Sequence, residues 1–354
     1  MSGDLPLVLF DPHPRRREML FDDALWERLN ALARVVAPGD EESGEGRMPD
    51  ETVDRHLADA AIVIGQTDLP TERLARASQL KAVINVEGNF LPNVDYAGCF
   101  ARGVQVLAIA PAFALPVAEM ALALALDLAR GVTAADRAFR EGREKFGLAG
   151  NDGAYLLTDS AIGLVGFGNL GRALLPLLQP FRPRVKVYDP WLPDGYLREF
   201  GMQPASLNEV LSTSQTVFVL AGVTADNQAM IGARELALMP DGAAILLMSR
   251  AGVVDWRAFT AAVASGRIRG ATDVFPAEPV APDDPVRTNT NLLLSAHRAG
   301  GLRQVFRRIG EMVVDDAALI LAGLPPVRLQ AARPETVGRL RSIPGRSYSK
   351  EEIR

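Results

Sequence analysis

The chain has 354 residues, of which 48% are hydrophobic, 23% charged and 6% aromatic. This is the composition of an ordinary folded protein, and the length predicts two domains that each bury a core. The formal net charge of −5 argues against broad attraction to nucleic-acid phosphates, so no nucleic acid is expected as a partner. The single cysteine, Cys99, excludes an intramolecular disulfide and a thiolate metal cage. We therefore predict no metal site and a reducing compartment.

The beginning of the chain has neither the basic region nor the apolar run of a signal peptide. The longest apolar stretch, residues 115–129, is interrupted by Pro116, Glu119 and Asp127 and is short for a bilayer. These features predict a cytoplasmic protein without a membrane partner.

Short apolar runs alternate with helical periods along the chain, which is the pattern of βα units around mostly parallel sheets. In chain order, the predicted strands are residues 7–10, 61–65, 81–86, 104–108, 161–166, 185–189, 216–220, 243–248, 270–274 and 292–295. The predicted helices are residues 18–33, 71–77, 117–138, 170–178, 206–211, 233–238, 255–265 and 302–321. The acidic, glycine-rich residues 38–46 are expected to form a solvated loop. The basic, proline-rich tail from Leu324 is expected to lie over a surface or to be disordered.

Two points have the character of domain crossings. Residues 110–116 contain two prolines without strong periodicity and lead into a long helix. Residues 299–301 form a second flexible point before another long helix. If the chain crosses at both, a middle domain of residues 110–298 is inserted into a discontinuous domain made of residues 1–109 and 299–354. The helix at 117–138 is apolar on nearly every face, so we expect cover from the core or from a second subunit.

A glycine-rich turn follows the strand at 161–166 and opens the next helix. It reads Gly166-Phe167-Gly168-Asn169-Leu170-Gly171. In this context Gly166 permits a tight turn, Gly168 lets the backbone approach a pyrophosphate, and Gly171 allows close packing of helix on strand. Asp189 ends the following strand, where its carboxylate can accept from the hydroxyls of a ribose and would repel a 2′-phosphate. The sequence therefore predicts a dinucleotide site for NAD rather than NADP.

Three further residues point to chemistry at the carboxyl edge of the same sheet. Arg250 follows the strand at 243–248, and a guanidinium there can bind a carboxylate through two parallel hydrogen bonds. His297 follows the last strand, and a protonated imidazole held by a carboxylate can donate a proton to a developing alkoxide. Glu278, on the loop before that strand, is the natural partner for His297.

Taken together, these segments resemble the NAD-dependent D-2-hydroxyacid dehydrogenase family in order and spacing. The resemblance rests on residues 166–171 with Asp189, 249–255, 273–279 and 295–300, and on the outer segments 80–84, 93–95, 102–106 and 117–119. It covers roughly residues 80–321, whereas the first 79 residues and the tail match only in general layout.

The resemblance implies two Rossmann-like, doubly wound α/β domains with parallel sheets, the nucleotide-binding one inserted into the substrate-binding one. It also implies hydride transfer between NAD(H) and a 2-hydroxy acid/2-oxo acid pair, with D configuration. Arg250 would bind and polarise the substrate, His297 would exchange the proton and Glu278 would orient the imidazole. Asp273 matches the family acid that bonds the nicotinamide carboxamide. A homodimer formed through the nucleotide domain is expected as well.

One departure concerns the turn whose backbone amides would receive the substrate carboxylate. Here the turn contains Glu87, Gly88 and Asn89, with one extra residue before Asp95. A carboxylate at position 87 would repel the substrate unless it points away, is neutralised or meets a cation on the substrate. The substrate side chain is thus left open.

Two alternative functions remain at this point. A phosphite-type dehydrogenase would use the same cofactor and the same acid–base pair. An NADH-sensing binding protein of the corepressor type would keep the fold for binding alone, although it would have no need of Arg250, Glu278 and His297 together.

Overall fold

The computed structural model describes residues 5–38 and 47–340. Nearly all of the predicted acidic loop and the end of the tail, residues 341–354, lie outside the described residues. The chain forms two compact units: unit 1 holds the residues up to Phe113 and those from Gly301, and unit 2 is Ala114–Gly300.

Unit 1 is built on a six-stranded sheet. Its strands are β1 (Leu7–Asp11), β2 (Arg34–Val36), β3 (Ala60–Gly65), β4 (Ala82–Asn85), β5 (Gln105–Ala108) and β13 (Gln330–Ala331). The order is β13-β5-β4-β3-β1-β2, and all pairs are parallel except β13 with β5. The four strands predicted for this region are confirmed. The short strands β2 and β13 were not predicted.

The helices wholly within unit 1 are α1 (Arg17–Leu20), α2 (Asp23–Leu32), α3 (Asp50–His56), α4 (Thr71–Arg76), α5 (Tyr96–Ala101), α13 (Arg303–Leu321) and α14 (Pro334–Val337). The helix predicted at 18–33 is two helices, because Phe21 is extended and Asp22 caps α2 by accepting from the Leu25 N–H at 2.9 Å. Alternate residues of β1 face opposite sides of the sheet: Val8 and Phe10 join one buried cluster, Leu7 and Leu9 the other.

Unit 2 carries a seven-stranded sheet in the order β12-β11-β10-β9-β6-β7-β8, parallel throughout. Its strands are β6 (Ala161–Val165), β7 (Arg184–Tyr188), β8 (Gln203–Pro204), β9 (Thr216–Val219), β10 (Ala244–Leu247), β11 (Arg269–Thr272) and β12 (Leu292–Leu294). Its helices are α7 (Val132–Arg140), α8 (Asn169–Leu178), α9 (Asp194–Glu199), α10 (Leu207–Thr213), α11 (Ala233–Ala237) and α12 (Trp256–Ala264). Buried apolar clusters lie on both faces, as expected of a doubly wound sheet.

The segment predicted as an irregular crossing is helical. Helix α6 runs from Ala110 to Arg130 with Pro116 inside it, and the chain passes from unit 1 to unit 2 between Phe113 and Ala114. The predicted end at residue 138 is also wrong, because Gly131 adopts φ 65° and separates α6 from α7. Pro111 lies in the first turn of α6, where a proline costs the helix no hydrogen bond, whereas Pro116 lies inside the helix and removes one.

Helix α6 has 21 residues and contains an 18-residue window with a mean hydropathy of 1.8, so the argument that its segment is too short for a bilayer does not hold. Among the described residues, α6 is the helix whose length and composition would allow it to cross a membrane. The core helices of soluble proteins meet the same two criteria. One stripe of it, Ala118, Ala121, Ala125 and Leu128, is buried in the core of unit 2. The remaining faces of α6 are half-buried or exposed in the single chain, so the core of unit 2 provides only part of the expected cover, and cover by a second subunit stays a prediction.

The described part of the tail packs on unit 1. Strand β13 pairs with β5, and the buried Asp316 carboxylate on α13 accepts backbone N–H groups of Val327, Arg328 and Leu329. The expectation that the tail lies over a surface is correct up to residue 340. Cys99 is fully buried and free, as expected of a small apolar core residue.

Candidate active site

The glycine-rich turn of unit 2 joins β6 to α8. Gly166 has φ 93°, and a Cβ atom on it would lie 2.7 Å from the Ala221 backbone nitrogen, so only glycine fits there. A Cβ on Gly171 would lie 2.9 Å from the Phe167 ring, which explains the close packing of α8 on the turn. A Cβ on Gly168 would meet nothing within 4 Å, so the backbone at this position is open to a ligand. The turn ends at the N-terminus of the ten-residue helix α8.

Asp189 lies directly after β7, beside this turn. Its Oδ2 accepts from the Phe167 N–H at 2.8 Å and its Oδ1 accepts from the Trp191 N–H at 2.9 Å. Each oxygen retains a further acceptor site for a hydroxyl group. The carboxylate therefore ties the glycine turn to the end of β7 and stays able to accept from a ribose.

The other predicted residues of unit 2 follow three neighbouring strands. Arg250 follows β10, Asp273 follows β11 and His297 follows β12, and these strands are adjacent and parallel. Their carboxyl ends share the edge at which β6 gives way to the glycine turn. In an open α/β sheet this edge is the one at which ligands bind.

His297 and Glu278 form a direct pair. The imidazole Nδ1 lies 2.6 Å from Glu278 Oε2, and Glu278 Oε1 accepts from the Phe275 N–H at 2.9 Å. Burial acts to raise the pKa of Glu278, but the hydrogen bonds from His297 and Phe275 and the charges of His297 and Arg250 together lower it. Glu278 is therefore ionised at neutral pH and fixes the orientation of the ring.

The backbone of His297 is held in an unusual conformation. Its φ is 50°, in the left-handed region that non-glycine residues rarely adopt. Asp273, which is 2% exposed, holds this segment: its Oδ1 accepts from Ser295 Oγ at 2.5 Å and from the Arg298 N–H at 3.0 Å. Its Oδ2 accepts from the Ala299 N–H at 3.1 Å. Asp273 thus positions the segment that carries His297.

Arg250 stands at the start of a short 3₁₀ turn, Ala251–Val253, and its Nη1 donates to the Ser249 carbonyl at 2.7 Å. Its charge is one of those that lower the pKa of Glu278, which places the guanidinium within electrostatic reach of the His297–Glu278 pair. Unit 2 therefore brings Arg250, Glu278 and His297 to one edge of its sheet.

The turn with Glu87, Gly88 and Asn89 belongs to unit 1 and follows β4. Glu87 is 9% exposed, and its Oε2 accepts from Arg15 Nη2 at 3.1 Å. The Arg15 Nε also donates to the Val86 carbonyl at 2.8 Å. Of the three possibilities weighed for Glu87, neutralisation is therefore the one observed, and Arg15 provides it. Arg15 was not predicted; the available signal was a basic run directly after the first strand.

Comparison with known proteins agrees with this geometry. Residues 122–299 match the family model described as D-isomer specific 2-hydroxyacid dehydrogenase, NAD binding domain. The chain belongs to this family. The resemblance seen in the sequence is thereby confirmed, and so are the Rossmann-like α/β fold and NAD as the cofactor.

Individual relatives extend the match beyond unit 2. A glyoxylate reductase of Korarchaeum cryptofilum is 30% identical over 76% of this chain and 81% of its own length. A D-3-phosphoglycerate dehydrogenase of Archaeoglobus fulgidus is 27% identical over 75% of this chain. The match spans about half the length of that relative. A solved phosphoglycerate oxidoreductase from Rhizobium etli is 44% identical, with a TM-score of 0.82 over 94% of this chain and all of that one.

Proposed function

We propose that this family member is an NAD-dependent oxidoreductase that interconverts a 2-hydroxy acid and its 2-oxo acid. The observation that carries the proposal is the 2.6 Å contact between His297 Nδ1 and Glu278 Oε2, at the sheet edge shared with Arg250 and the glycine turn. Arginine, glutamate and histidine at one edge supply carboxylate binding and a matched acid–base pair. A D configuration of the hydroxy acid is part of the proposal and is supported by the name of the matched family.

The residues present fit a dinucleotide. The open backbone at Gly168 and the N-terminus of α8 suit a pyrophosphate, and Asp189 suits the ribose hydroxyls. Phe167, Asn169 and Leu170 complete this turn, and Asp273 remains a proposed partner for the nicotinamide carboxamide. When bound, the nicotinamide supplies the hydride exchange with the substrate carbon.

The chain itself moves the proton. Because Nδ1 of His297 is engaged by Glu278, proton exchange with the substrate oxygen falls to Nε2. Glu278 balances the positive charge of the ring during proton transfer to a 2-oxo acid. Arg250 binds the substrate carboxylate and polarises the carbonyl group, which stabilises the alkoxide that develops. The backbone of the Glu87–Gly88–Asn89 turn is proposed as a further receptor for the carboxylate.

The two alternative functions are not favoured. The relatives named above are a reductase, a dehydrogenase and an oxidoreductase, and none is named for phosphite or for sensing. A pure sensor would also leave the His297–Glu278 pair without a task.

The first experiment follows NADH absorbance with purified protein and a panel of 2-oxo acids that includes glyoxylate, hydroxypyruvate and phenylpyruvate. NADPH is the cofactor control. We expect turnover with NADH that falls by about 10²- to 10⁴-fold in His297→Ala, with the Kd for NADH unchanged. His56→Ala, on helix α3 of unit 1, is the matched control and should keep full activity.

Silence across the panel, with NADH still bound tightly, would reject the proposal. Phosphite oxidation would then be tested, followed by NADH-dependent binding of a protein partner. A sensor would keep that binding in His297→Ala.

We also propose a homodimer formed through unit 2. The proposal is supported by the apolar faces of α6 outside its buried stripe and by large exposed side chains in the segment after it. These are Val132, Phe139, Phe146, Leu148 and Leu156, each more than half exposed. Exposed apolar side chains at this density are typical of a subunit interface. The cytoplasm is kept as the proposed location, supported by the free, buried Cys99.

A further inference from the structure

The loop that follows β9 in unit 2 is closed by one side chain. In this β9 loop, residues 221–231, the Asn227 Oδ1 atom accepts from the Thr224 N–H at 2.7 Å. The Asn227 Nδ2 atom donates to the Gly222 carbonyl at 2.8 Å. Thr224 is 7% exposed, so water could not readily replace the bond to its N–H group. Asn227 therefore holds this part of the loop as a single turn.

The β9 loop is bonded in turn to the Arg250 turn, residues 250–254, which follows the neighbouring strand β10. The Ala229 N–H donates to the Gly252 carbonyl at 2.8 Å. The Ile231 N–H donates to the Val253 carbonyl at 3.2 Å. Two backbone hydrogen bonds therefore join the β9 loop to the Arg250 turn.

Side-chain packing and backbone conformation add to this link. A Cβ atom on Gly252 would lie 3.1 Å from Cγ2 of Val223, so the Val223 side chain lies directly over the Gly252 backbone. Ala229 has a φ of 50°, in the left-handed region that alanine rarely adopts. A conformation of this kind persists only where the surrounding structure holds it. The β9 loop is thus fixed in one arrangement against the Arg250 turn.

The position of the Arg250 turn decides where its guanidinium group lies. Arg250 Nη1 donates to the carbonyl of the preceding residue, Ser249, at 2.7 Å. This bond moves with the turn and does not anchor it to the rest of the unit. A shift of about 1 Å in a group that positions a substrate can lower the rate by about 100-fold. The contacts of the β9 loop therefore bear directly on what Arg250 can bind.

We propose that Asn227 is a positioning residue for Arg250. It closes the β9 loop, and the loop holds the turn from which the guanidinium binds the substrate carboxylate. The proposal rests on the proposed function, in which Arg250 binds that carboxylate, and deepens it. Asn227, the β9 loop and the Arg250 turn all belong to unit 2.

The test compares a substrate that offers Arg250 a carboxylate with one that does not. We measure kcat/KM with NADH for glyoxylate and for glyoxylamide, in which an amide replaces the carboxylate. Another acid of the panel that turns over, with its own amide, can take their place. In Asn227→Ala we expect the acid-to-amide ratio of kcat/KM to fall by about 10-fold, with the Kd for NADH unchanged. Losses of equal size for both substrates would overturn the proposal, because a general disturbance of the fold has no reason to spare the amide.

Asn289→Ala is the matched control. The Asn289 Nδ2 atom donates to the Thr260 carbonyl at 3.2 Å, and its Oδ1 accepts from the Asn291 N–H at 3.3 Å. The control therefore loses the same two kinds of hydrogen bond within unit 2. Asn289 lies before β12, at the edge of the sheet opposite to Arg250, so this variant should keep the acid-to-amide ratio of wild type.

A double variant tests whether Asn227 acts through Arg250. The single variant Arg250→Met has no guanidinium group left to position. Adding Asn227→Ala to it should therefore cause no further fall in kcat/KM for glyoxylate. Losses that simply multiply would show that Asn227 acts elsewhere and would overturn the proposal.

Amide hydrogen exchange of the full chain tests the link without turnover. The Asp255 N–H donates to the Ile231 carbonyl at 3.0 Å, so both residues report on the contact between loop and turn. In Asn227→Ala we expect their N–H groups to exchange about 10-fold faster than in wild type, and in Asn289→Ala at the wild-type rate. If no 2-oxo acid turns over, the proposed function fails and hydrogen exchange alone decides the role of Asn227. Exchange as slow as in wild type would then reject that role.

Discussion

The Glu278 Oε2 atom lies 2.6 Å from Nδ1 of His297, and its partner oxygen is held by the Phe275 N–H. A carboxylate with both oxygens engaged cannot rotate away from the ring. The pair is therefore preorganised for proton exchange at Nε2. The titration of Glu278 should be visible in the pH dependence of the stability of the protein.

The lowered pKa of Glu278 predicts a stability change at acid pH. The pKa of Glu278 is lower in the folded protein than in the unfolded chain, so its ionised carboxylate stabilises the fold at any pH above the unfolded pKa. This stabilisation is lost as the pH falls through the folded pKa. The difference in Tm between wild type and Glu278→Gln should therefore be constant near neutral pH and shrink below about pH 4.5. Glu141→Gln, a change at an exposed carboxylate after α7, is the control. A difference that grows towards acid pH would contradict the assignment.

The same substitution should change the rate of the reaction. The amide introduced by Glu278→Gln would keep a hydrogen bond to the ring but lack the negative charge that balances the positive ring during proton transfer. In this variant we therefore expect kcat for the reduction of a 2-oxo acid to fall by about 10-fold or more. Steady-state kinetics with NADH saturating measure this. An unchanged kcat would mean that Glu278 has no part in the proton transfer.

Asp189 predicts the choice between the two nicotinamide cofactors. Its oxygens accept from Phe167 and Trp191 and can also accept from ribose hydroxyls, whereas a 2′-phosphate would meet a negative charge. In Asp189→Ser we expect the kcat/KM ratio of NADH to NADPH to fall by about 10-fold or more. Asp194→Ser removes a nearby acid of α9 and should leave the ratio unchanged. A wild-type preference for NADPH would disprove the assignment.

The local parts of the site could be predicted from the sequence. The glycine turn, Asp189, Arg250 and His297 all follow strands of a regular βα pattern, so their place at a sheet edge follows from chain order. The Arg15–Glu87 pair could not be predicted, because 72 residues separate its members and only the folded sheet brings the ends of β1 and β4 together. Helix α6 shows the opposite case. Pro111 and Pro116 are local signals against a helix at residues 110–116, and the packing of the apolar stripe of α6 outweighs them.

The contacts of Asp273 predict a positioning effect that can be separated from cofactor binding. Ser295→Ala removes the hydroxyl that donates to Asp273 Oδ1 at 2.5 Å and leaves the two backbone donors in place. The segment that carries His297 would be held less firmly, so we expect kcat to fall by about 3- to 10-fold with no change in the Kd for NADH. Ser265→Ala, at the end of α12, is the control. Weakened NADH binding with normal kcat would instead favour a direct role of this segment in holding the cofactor.

The exposed apolar side chains of unit 2 give the last prediction. Phe146 is 78% and Leu148 90% exposed, in the segment that follows α6 and α7 along the chain. The apolar surface of α6 is itself only partly covered. A monomer would present this surface to water, so we expect wild type to sediment as a dimer, and Phe146→Ser with Leu148→Ser to shift towards monomer at the same concentration. Val327→Ser alters a side chain of unit 1 that is 74% exposed and should leave the dimer intact. A monomeric wild type would show that α6 has no second subunit to cover it, and its apolar faces would then need another partner.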